Sequence, residues 1–165
     1  MAIRTILKDG DPGLLKTSRP IEQFDDRLHT LLDDMQETML GANGIGLAAP
    51  QVGVLRRVIL VMDIETELEE GEEEPIYELV NPVILEQSGE ETRLEGCLSI
   101  PGFLGEVTRS AVVKVQAQDR YGTSFELTGE GMTARALLHE IDHLDGKLFK
   151  ELASELIPTD AVEEI

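Results

Sequence analysis

The chain has 165 residues, 41% of them hydrophobic and 28% charged, which is enough for one domain that folds without disulfides. The 14 basic and 33 acidic residues give a net charge of −19, which opposes direct nucleic-acid binding through phosphate neutralisation. The single cysteine permits no internal disulfide, no apolar run reaches transmembrane length, and the N-terminus lacks the blocks of a signal peptide. We therefore expect a cytoplasmic protein without membrane contact.

The first half of the chain predicts one helix followed by strands. Apolar residues at helical spacing predict an amphipathic helix over about residues 24–40, ended by Gly41. Residues 58–62 form a continuous apolar run that predicts a strand. A further strand is predicted over residues 76–80, ending where Asn81 precedes a proline.

The second half predicts another strand pair and then a second helix. Alternating apolar and polar residues predict a strand over 111–118, and a turn leads into a short apolar stretch around Phe125. A helix is predicted to begin near Thr133, with Gly146 as its left-handed C-terminal cap. This order predicts an α+β fold, a single catalytic domain over residues 1–165 in which antiparallel or mixed strands pack around a central metal-binding helix.

Acidic residues are concentrated in two places. Seven of the ten residues from Glu65 to Glu74 are glutamate, which predicts a solvated loop between strands. Acidic residues from Glu151 onward predict a short acidic C-terminal tail. A salt-rich habitat is the alternative explanation for this charge. His29 lies off the apolar stripe of the first predicted helix and is expected to be a surface residue without a role.

The most informative motif is His139-Glu140-Ile141-Asp142-His143. Residues four apart lie on one face of a helix, so both imidazoles can bind the same ion. Glu140 is rotated roughly 100° from His139, so it is placed to reach a water rather than to act as a ligand. This spacing predicts a metal site with a proton acceptor beside it.

A third protein ligand is needed, because a catalytic centre of this type uses three and leaves one position open. No histidine follows His143, and the glutamates of the tail are the only downstream candidates. Cys97, the only cysteine, is the better candidate, although a lone cysteine is more often a small buried hydrophobic residue. From the residues alone, the third ligand remains open.

Three segments together resemble the signature motifs of a known enzyme family. They are Gly-Ile-Gly-Leu-Ala-Ala-Pro-Gln at 44–51, Glu-Gly-Cys-Leu-Ser at 95–99 and His-Glu-Ile-Asp-His-Leu-Asp-Gly at 139–146. In this order and spacing they closely resemble peptide deformylase, and the likeness extends over nearly the whole chain. The resemblance implies a hydrolase that removes the N-formyl group from the N-terminal methionine of newly made polypeptides and releases formate.

The resemblance also implies a set of metal ligands and catalytic groups. Carried over by position, Cys97, His139 and His143 would hold one divalent metal ion, and Glu140 would act as general base and then as general acid. The ion would be iron(II) in the native protein, with zinc, nickel or cobalt as the other candidates.

Substrate contacts are implied in the same way. Gln51 and the backbone N–H of Leu98 would face the oxyanion, and Gly46 would pair with the substrate backbone. Ile45 and Leu138 would border the pocket for the methionine side chain. The expected partner is an N-formylmethionyl peptide bound by a monomer. A transient ribosome contact is left open, because little chain follows Pro158 to form the longer C-terminal helix of many bacterial members.

Two further hypotheses are compared with this one. A zincin-like metallopeptidase shares the two histidines and the glutamate but gives no use to Cys97 or Gln51. A non-catalytic metal-binding member of the family would lack the base or a ligand. Finally, Glu95 and Arg109 flank the cysteine segment with opposite charges. We expect either this pair, or Arg109 with Asp142, to support the metal ligands.

Overall fold

A computed structural model describes residues 2–160 of the chain. It contains two α-helices, α1 (Asp26–Gly41) and α2 (Gly131–Leu144), together with short 3-10 helices at Pro12–Leu15, Ala49–Val52 and Phe149–Glu151. The strands are β1 (Gly46–Ala48), β2 (Val58–Met62), β3 (Ile76–Ser88), β4 (Glu91–Cys97), β5 (Ile100–Arg109), β6 (Val112–Gln118), β7 (Ser124–Glu130) and β8 (Leu156–Pro158).

The strands form two antiparallel sheets. One has five strands in the order β1-β2-β3-β6-β7, and the other has three in the order β4-β5-β8. Within the described residues the strand pairs are antiparallel, and the isolated bridge between Arg19 and Arg56 is parallel. The predicted α+β fold is confirmed, with α2 as the central helix.

The five-stranded sheet carries a helix on each face, which explains the continuous apolar sequence of β2. Ile59 and Val61 pack toward α2, whereas Val58 and Leu60 pack toward α1. All four side chains are fully buried. A strand covered on both faces needs apolar residues at every position rather than at alternate ones.

Helix α1 begins and ends close to the predicted positions. The Asp25 side chain accepts a hydrogen bond from the Leu28 backbone N–H and so caps the helix N-terminus. Leu32, Met35 and Met39 lie one turn apart on the buried face of α1 and are completely inaccessible. The helix therefore starts two residues later than the apolar pattern alone suggested.

Helix α2 is capped by residues distant in sequence. Glu65 Oε1 accepts a hydrogen bond from the Met132 backbone N–H at 2.7 Å, and Asp63 Oδ1 accepts one from the Thr133 hydroxyl at 3.1 Å. At the other end, Gly146 has φ of +74°, as the predicted left-handed cap requires. A Cβ on Gly146 would also lie 2.5 Å from the carbonyl oxygen of Leu15.

Three features differ from the sequence predictions. Strand β3 does not end before Pro82 but continues to Ser88, because a bulge between Val80 and Val83 absorbs the proline. The β4–β5 hairpin was not predicted. Residues 156–158 of the predicted acidic tail form β8 and pair with β5, while Glu163 and Glu164 lie outside the described residues.

The remaining predictions concern exposed segments. The acidic stretch from Glu65 to Glu74 is an exposed connection between β2 and β3, as predicted. His29 is only half-buried but is not free of contacts, since its Nε2 lies 2.8 Å from the Arg120 carbonyl oxygen. None of the helices within residues 2–160 has the length and apolar character needed to cross a membrane.

Candidate metal centre

Three potential ligand side chains converge between α2 and the β4–β5 hairpin. His139 and His143 lie one turn apart on α2, and their ring centroids are 5.0 Å apart. Cys97 ends β4 at the tight turn into β5, where it pairs with Ile100. One ligand atom from each of the three residues lies within 4.8 Å of the other two, and Cys97 Sγ is 3.3 Å from His143 Nε2. The hairpin thus brings the cysteine to the histidine face of the helix.

Glu95 orients the first histidine. His139 Nδ1 lies 2.6 Å from Glu95 Oε2, which leaves Nε2 of that ring to face the site. Arg109 donates to both carboxylate oxygens of Glu95, from Nε at 2.8 Å and from Nη2 at 2.7 Å. Arg135 Nη1 donates to Glu95 Oε1 at 2.9 Å. These four side chains are at least nine-tenths buried, so the contacts hold the imidazole in one orientation.

The structure contains both ion pairs that the sequence offered as alternatives. Arg109 pairs with Glu95 and also with Asp142, whose Oδ2 lies 2.9 Å from Nη1. Arg135 was missed by the sequence reasoning, although it lies four residues before His139 and hence on the same helix face. A charged residue at that buried position was the available signal, since arginine is rarely buried without a partner.

The Glu95 carboxylate stays ionised in this environment. Burial alone would favour its neutral form, but hydrogen bonds from Arg109 and His139 outweigh burial and hold the pKa of Glu95 well below its usual range. A buried carboxylate beside His139 increases the electron density of that imidazole, as expected for a histidine that binds a cation.

The residues present fit a divalent cation. Burial, reinforced by the positive charge of His139, lowers the pKa of His143 to about 3, so this imidazole is neutral and able to bind a metal. Burial would also lower the pKa of His139, but the nearby Glu140 and Cys97 hold it well above its usual value. Cys97 and two imidazoles are ligands that zinc, iron(II), nickel and cobalt accept. The surroundings therefore favour positive charge where the three ligand atoms meet.

Glu140 lies next to these ligands but on a different side of α2. It is 5% exposed, and its Oε1 is buried without a hydrogen-bond partner among the described residues. Burial raises the pKa of Glu140 to about 7, although the charge of His139 opposes the shift. A Cβ at Gly46 would lie 3.0 Å from the Cγ and Cδ atoms of Glu140, so β1 passes directly against this side chain.

Gln51 also lies close to the cysteine. Its Nε2 donates to Ser99 Oγ at 3.1 Å and lies 3.6 Å from Cys97 Sγ. Its Oε1 accepts the Ala48 backbone N–H at 2.9 Å, which fixes the amide within the 3-10 helix that follows β1. Sequence reasoning identified Gln51 but missed its contact with Ser99, because the hairpin that brings Ser99 there was not predicted.

A cavity of about 240 Å³ is lined by Cys97, His139 and Glu140, whereas His143 does not line it. Ile45, Gly46 and Leu98 line one side, and Met132 and Ala136 line the other from α2. The cavity thus joins Ile45 and Gly46, which are predicted to bind substrate, with the catalytic candidates Glu140 and Leu98, while Gln51 does not line it.

Leu138 does not lie on this cavity, contrary to its expected place at the methionine pocket. Adjacent helix residues point roughly 100° apart, so Leu138 cannot share the face of His139. It packs instead between α2 and the five-stranded sheet, and it borders a separate cavity that Arg109 also lines. On α2 the cavity is lined instead by Met132 and Ala136, which lie seven and three residues before His139.

The chain is similar to known proteins over nearly its whole length. The sequence profile described as polypeptide deformylase matches residues 3–157. The peptide deformylase of Acetivibrio thermocellus is 50% identical over 163 residues, which covers 99% of this chain and 91% of the relative. A crystal structure of a peptide deformylase from Legionella pneumophila is 47% identical, with a TM-score of 0.83 over 93% of this chain and 87% of that one. The Thermotoga maritima peptide deformylase is 37% identical, with a TM-score of 0.85 over 93% and 99%.

Proposed function

Since the chain belongs to the polypeptide deformylase family, we propose that it is a metal-dependent hydrolase that removes the formyl group from the N-terminal methionine of new polypeptides. The chain is an enzyme by that membership. The proposed products are formate and a free N-terminal amine, and the proposed place of action is the cytoplasm, where such chains are made. The domain is proposed to act as a monomer, and a transient ribosome contact is not needed for the chemistry.

One observation carries the proposal. The ligand atoms of Cys97, His139 and His143 meet within 4.8 Å, next to a buried carboxylate oxygen of Glu140 that lacks a partner among residues 2–160. A purely structural metal site would need a fourth protein ligand and would leave this buried carboxylate unexplained. The three ligands, the nearby Glu140 carboxylate and the cavity therefore together support a hydrolytic centre.

We assign the metal to Cys97, His139 and His143, with iron(II) as the native ion and zinc, nickel or cobalt as substitutes. When bound, the ion supplies positive charge that polarises a carbonyl and acidifies water. Glu95, held by Arg109 and Arg135, keeps the His139 ring turned toward that position.

Glu140 is proposed to transfer a proton from the attacking water to the departing amine. Its Oε1 is buried and lacks a described partner, so it can accept a proton from the attacking water. The water oxygen bonds to the formyl carbon, the carbon–nitrogen bond breaks, and Glu140 returns the same proton to the departing amine. A carboxyl group with a pKa near neutrality can both accept and donate under physiological conditions.

Gln51 and Leu98 are proposed to stabilise the oxygen that gains negative charge. The Gln51 amide is fixed through Oε1 by Ala48, so its Nε2 hydrogens stay directed toward the site. Leu98 follows Cys97 in the hairpin turn and borders the cavity. Donors held in place before the reaction stabilise charge without reorganisation, which is the largest contribution in many enzymes.

The cavity supports an apolar side chain such as that of methionine at the first residue of the substrate. Ile45, Leu98 and Met132 provide apolar contacts, and burial of a charged side chain there would carry a large desolvation cost. Gly46 belongs to β1, an edge strand of its sheet, so an extended peptide is proposed to align beside it. Because β1 and Glu140 are so close, the space beside the ligands suits a formyl group, which bears hydrogen in place of a Cα.

Replacing Glu140 with glutamine tests the assignment of the proton carrier. Glu140→Gln should retain one metal ion per chain and lower formate release from a formylated dipeptide by roughly 10²–10⁴-fold. Glu86→Gln, an exposed change on β3, is the matched control and should keep native activity. Loss of the metal from Glu140→Gln would instead make Glu140 a ligand, and native turnover would remove it from the mechanism.

A further inference from the structure

A second cleft lies away from the metal centre and is lined by arginines. It has a volume of about 660 Å³ and lies between the N-terminal segment, the start of α1 and the chain that follows the Ala49–Val52 helix. Its lining includes four arginines, Arg4, Arg19, Arg27 and Arg56. The cleft shares no lining residue with the cavity beside the metal ligands.

Three of the four arginines of this cleft differ from the others in making no ion pair within the described residues. Within residues 2–160, ion pairs to carboxylates are made by Arg4, Arg57, Arg93, Arg109, Arg120 and Arg135. The three arginines that make none in this part of the chain are Arg19, Arg27 and Arg56, and all three line the cleft. In a chain with 33 acidic residues, most arginines find a carboxylate. Three unpaired guanidinium groups at one place point to an external anion.

The backbone fixes two of these residues side by side. Arg19 and Arg56 form the isolated parallel bridge, supported by hydrogen bonds from Arg19 N to Leu55 O at 3.0 Å and from Arg57 N to Arg19 O at 2.8 Å. Both side chains are exposed and line the same cleft, so one anion there can attract both positive charges. The planar fork of arginine also matches two oxygens of a phosphate group.

The acidic residues of the cleft are only partly available to neutralise it. Asp25 caps α1 by accepting the Leu28 N–H, and Arg4 is paired with Asp34. Glu22 is the remaining carboxylate in the lining. Three unpaired arginines thus face two carboxylates, one of which already serves the helix. Positive charge is retained here even though the chain as a whole carries −19.

The floor of the cleft is apolar. Ile21, Leu28, Leu31 and Val54 contribute to its lining, and Leu28 and Leu31 belong to the buried face of α1. A volume of several hundred cubic ångströms with an apolar floor and a few charged groups is typical of sites for small organic ligands. A long polyanion is disfavoured, because the acidic surface beyond the cleft would repel it.

We propose that this arginine cleft binds a small organic phosphate of nucleotide size. Its phosphate group lies against the guanidinium groups of Arg19 and Arg56, with Arg27 adding positive charge at the start of α1. Its less polar body covers the apolar floor. The site is separate from the metal centre, so binding does not require the metal or the formylated substrate.

Calorimetric titration of the metal-loaded protein tests the proposal, with adenosine monophosphate, inorganic phosphate and adenosine as probes. We expect the nucleotide to bind, inorganic phosphate to bind more weakly, and adenosine to show no binding. Affinity should fall with added salt. Arg19→Gln/Arg56→Gln should weaken nucleotide binding by roughly tenfold or more, because charge-assisted hydrogen bonds are lost. Arg93→Gln removes one positive charge on β4, away from the cleft, as the single Arg27→Gln variant does within it, and should bind as the native chain does.

Circular dichroism and metal content report whether each variant is folded. Arg27→Gln changes one exposed residue in the first turn of α1, so it provides a second test if the double variant is unstable, and it should bind the nucleotide more weakly. Equal nucleotide affinity in the native chain and Arg27→Gln, or in the native chain and a folded double variant, would overturn the proposal. So would tight binding of a single-stranded RNA oligonucleotide where the mononucleotide fails to bind. Absence of binding by both phosphate probes would overturn it as well.

Discussion

Replacing Gly46 with alanine should displace the proposed proton carrier. A Cβ at this position would lie 3.0 Å from the Cγ and Cδ atoms of Glu140 and closer still to Oε2. Because carbon atoms pack at about 3.5–4.0 Å, the Glu140 side chain would have to move by roughly 0.5–1 Å. Glu140 is 5% exposed and fixed on a buried helix, so it cannot move this far without leaving its position beside the ligands.

The expected loss follows from that displacement. A misplacement of about 1 Å can cost about 10²-fold in rate. We therefore expect Gly46→Ala to lower kcat for a formylated dipeptide by roughly 10²-fold while one metal ion remains bound per chain. Gly41→Ala is the matched control, since the nearest atom to its added Cβ is 3.7 Å away. That variant should keep native kinetics.

Combining Gly46→Ala with Glu140→Gln separates two possible causes of the loss. If the methyl group acts by displacing Glu140, it should cost little further rate once the carboxylate has been replaced, because the two changes act on one group. If it obstructs the substrate backbone instead, KM should rise and the two losses should multiply. A native kcat/KM for Gly46→Ala would refute the reasoning.

Three further predictions follow from the site and its supports. Cys97→Ala should abolish tight metal binding, measured by elemental analysis, whereas loss of a merely buried cysteine would cost about 1 kcal/mol and leave the metal in place. Arg109→Ala should lower metal affinity or activity by about 10–100-fold, since it removes one of the supports of Glu95 together with the ion pair to Asp142. The exposed Arg93→Ala should change neither; equal values for both variants would assign Arg109 no part in positioning. The third concerns Asp63, whose pKa is held below its usual value because hydrogen bonds, including two from Thr66 and one from Thr133, outweigh burial. A lowered folded-state pKa contributes stability that is present above the unfolded value and is lost as the pH falls through the folded value. Asp63→Asn should therefore lower the free energy of unfolding at pH 7 and reduce its decrease below about pH 4, measured by urea denaturation; an unchanged acid dependence would contradict this.

The core elements were predictable because the pattern of apolar residues in each one depends only on which of its faces are buried. The continuous apolar run of β2 reflects helices on both sheet faces, and the period of α1 reflects one buried face. The extension of β3 was not predictable from its proline, because Asn81 stabilises the bulge with side-chain bonds to Ile21, which is 60 residues away. Local patterns do not reveal partners at such distances.

In the candidate site, too, local sequence patterns were predictive, whereas contacts between distant residues were not. The spacing of His139 and His143 on one helix could be read directly from the sequence, whereas the third ligand depended on a hairpin that no periodicity predicted. The Glu95–Arg109 pair was inferred from opposite charges, but Arg135 was missed because its partners lie on β4 and β5. The resemblance implied that Leu138 borders the methionine pocket, but which face of α2 this residue occupies became clear only from its packing against the five-stranded sheet.

The most direct test of the proposed function compares three matched peptides with the metal-loaded enzyme. One carries N-formylmethionine, one carries N-acetylmethionine, and one has a free N-terminus; formate and fragment masses are measured for each. The close approach of β1 to Glu140 predicts formate from the formylated peptide, far slower reaction of the acetylated one, and no internal cleavage of any of them. Internal fragments without formate would contradict the proposal and support an endopeptidase instead.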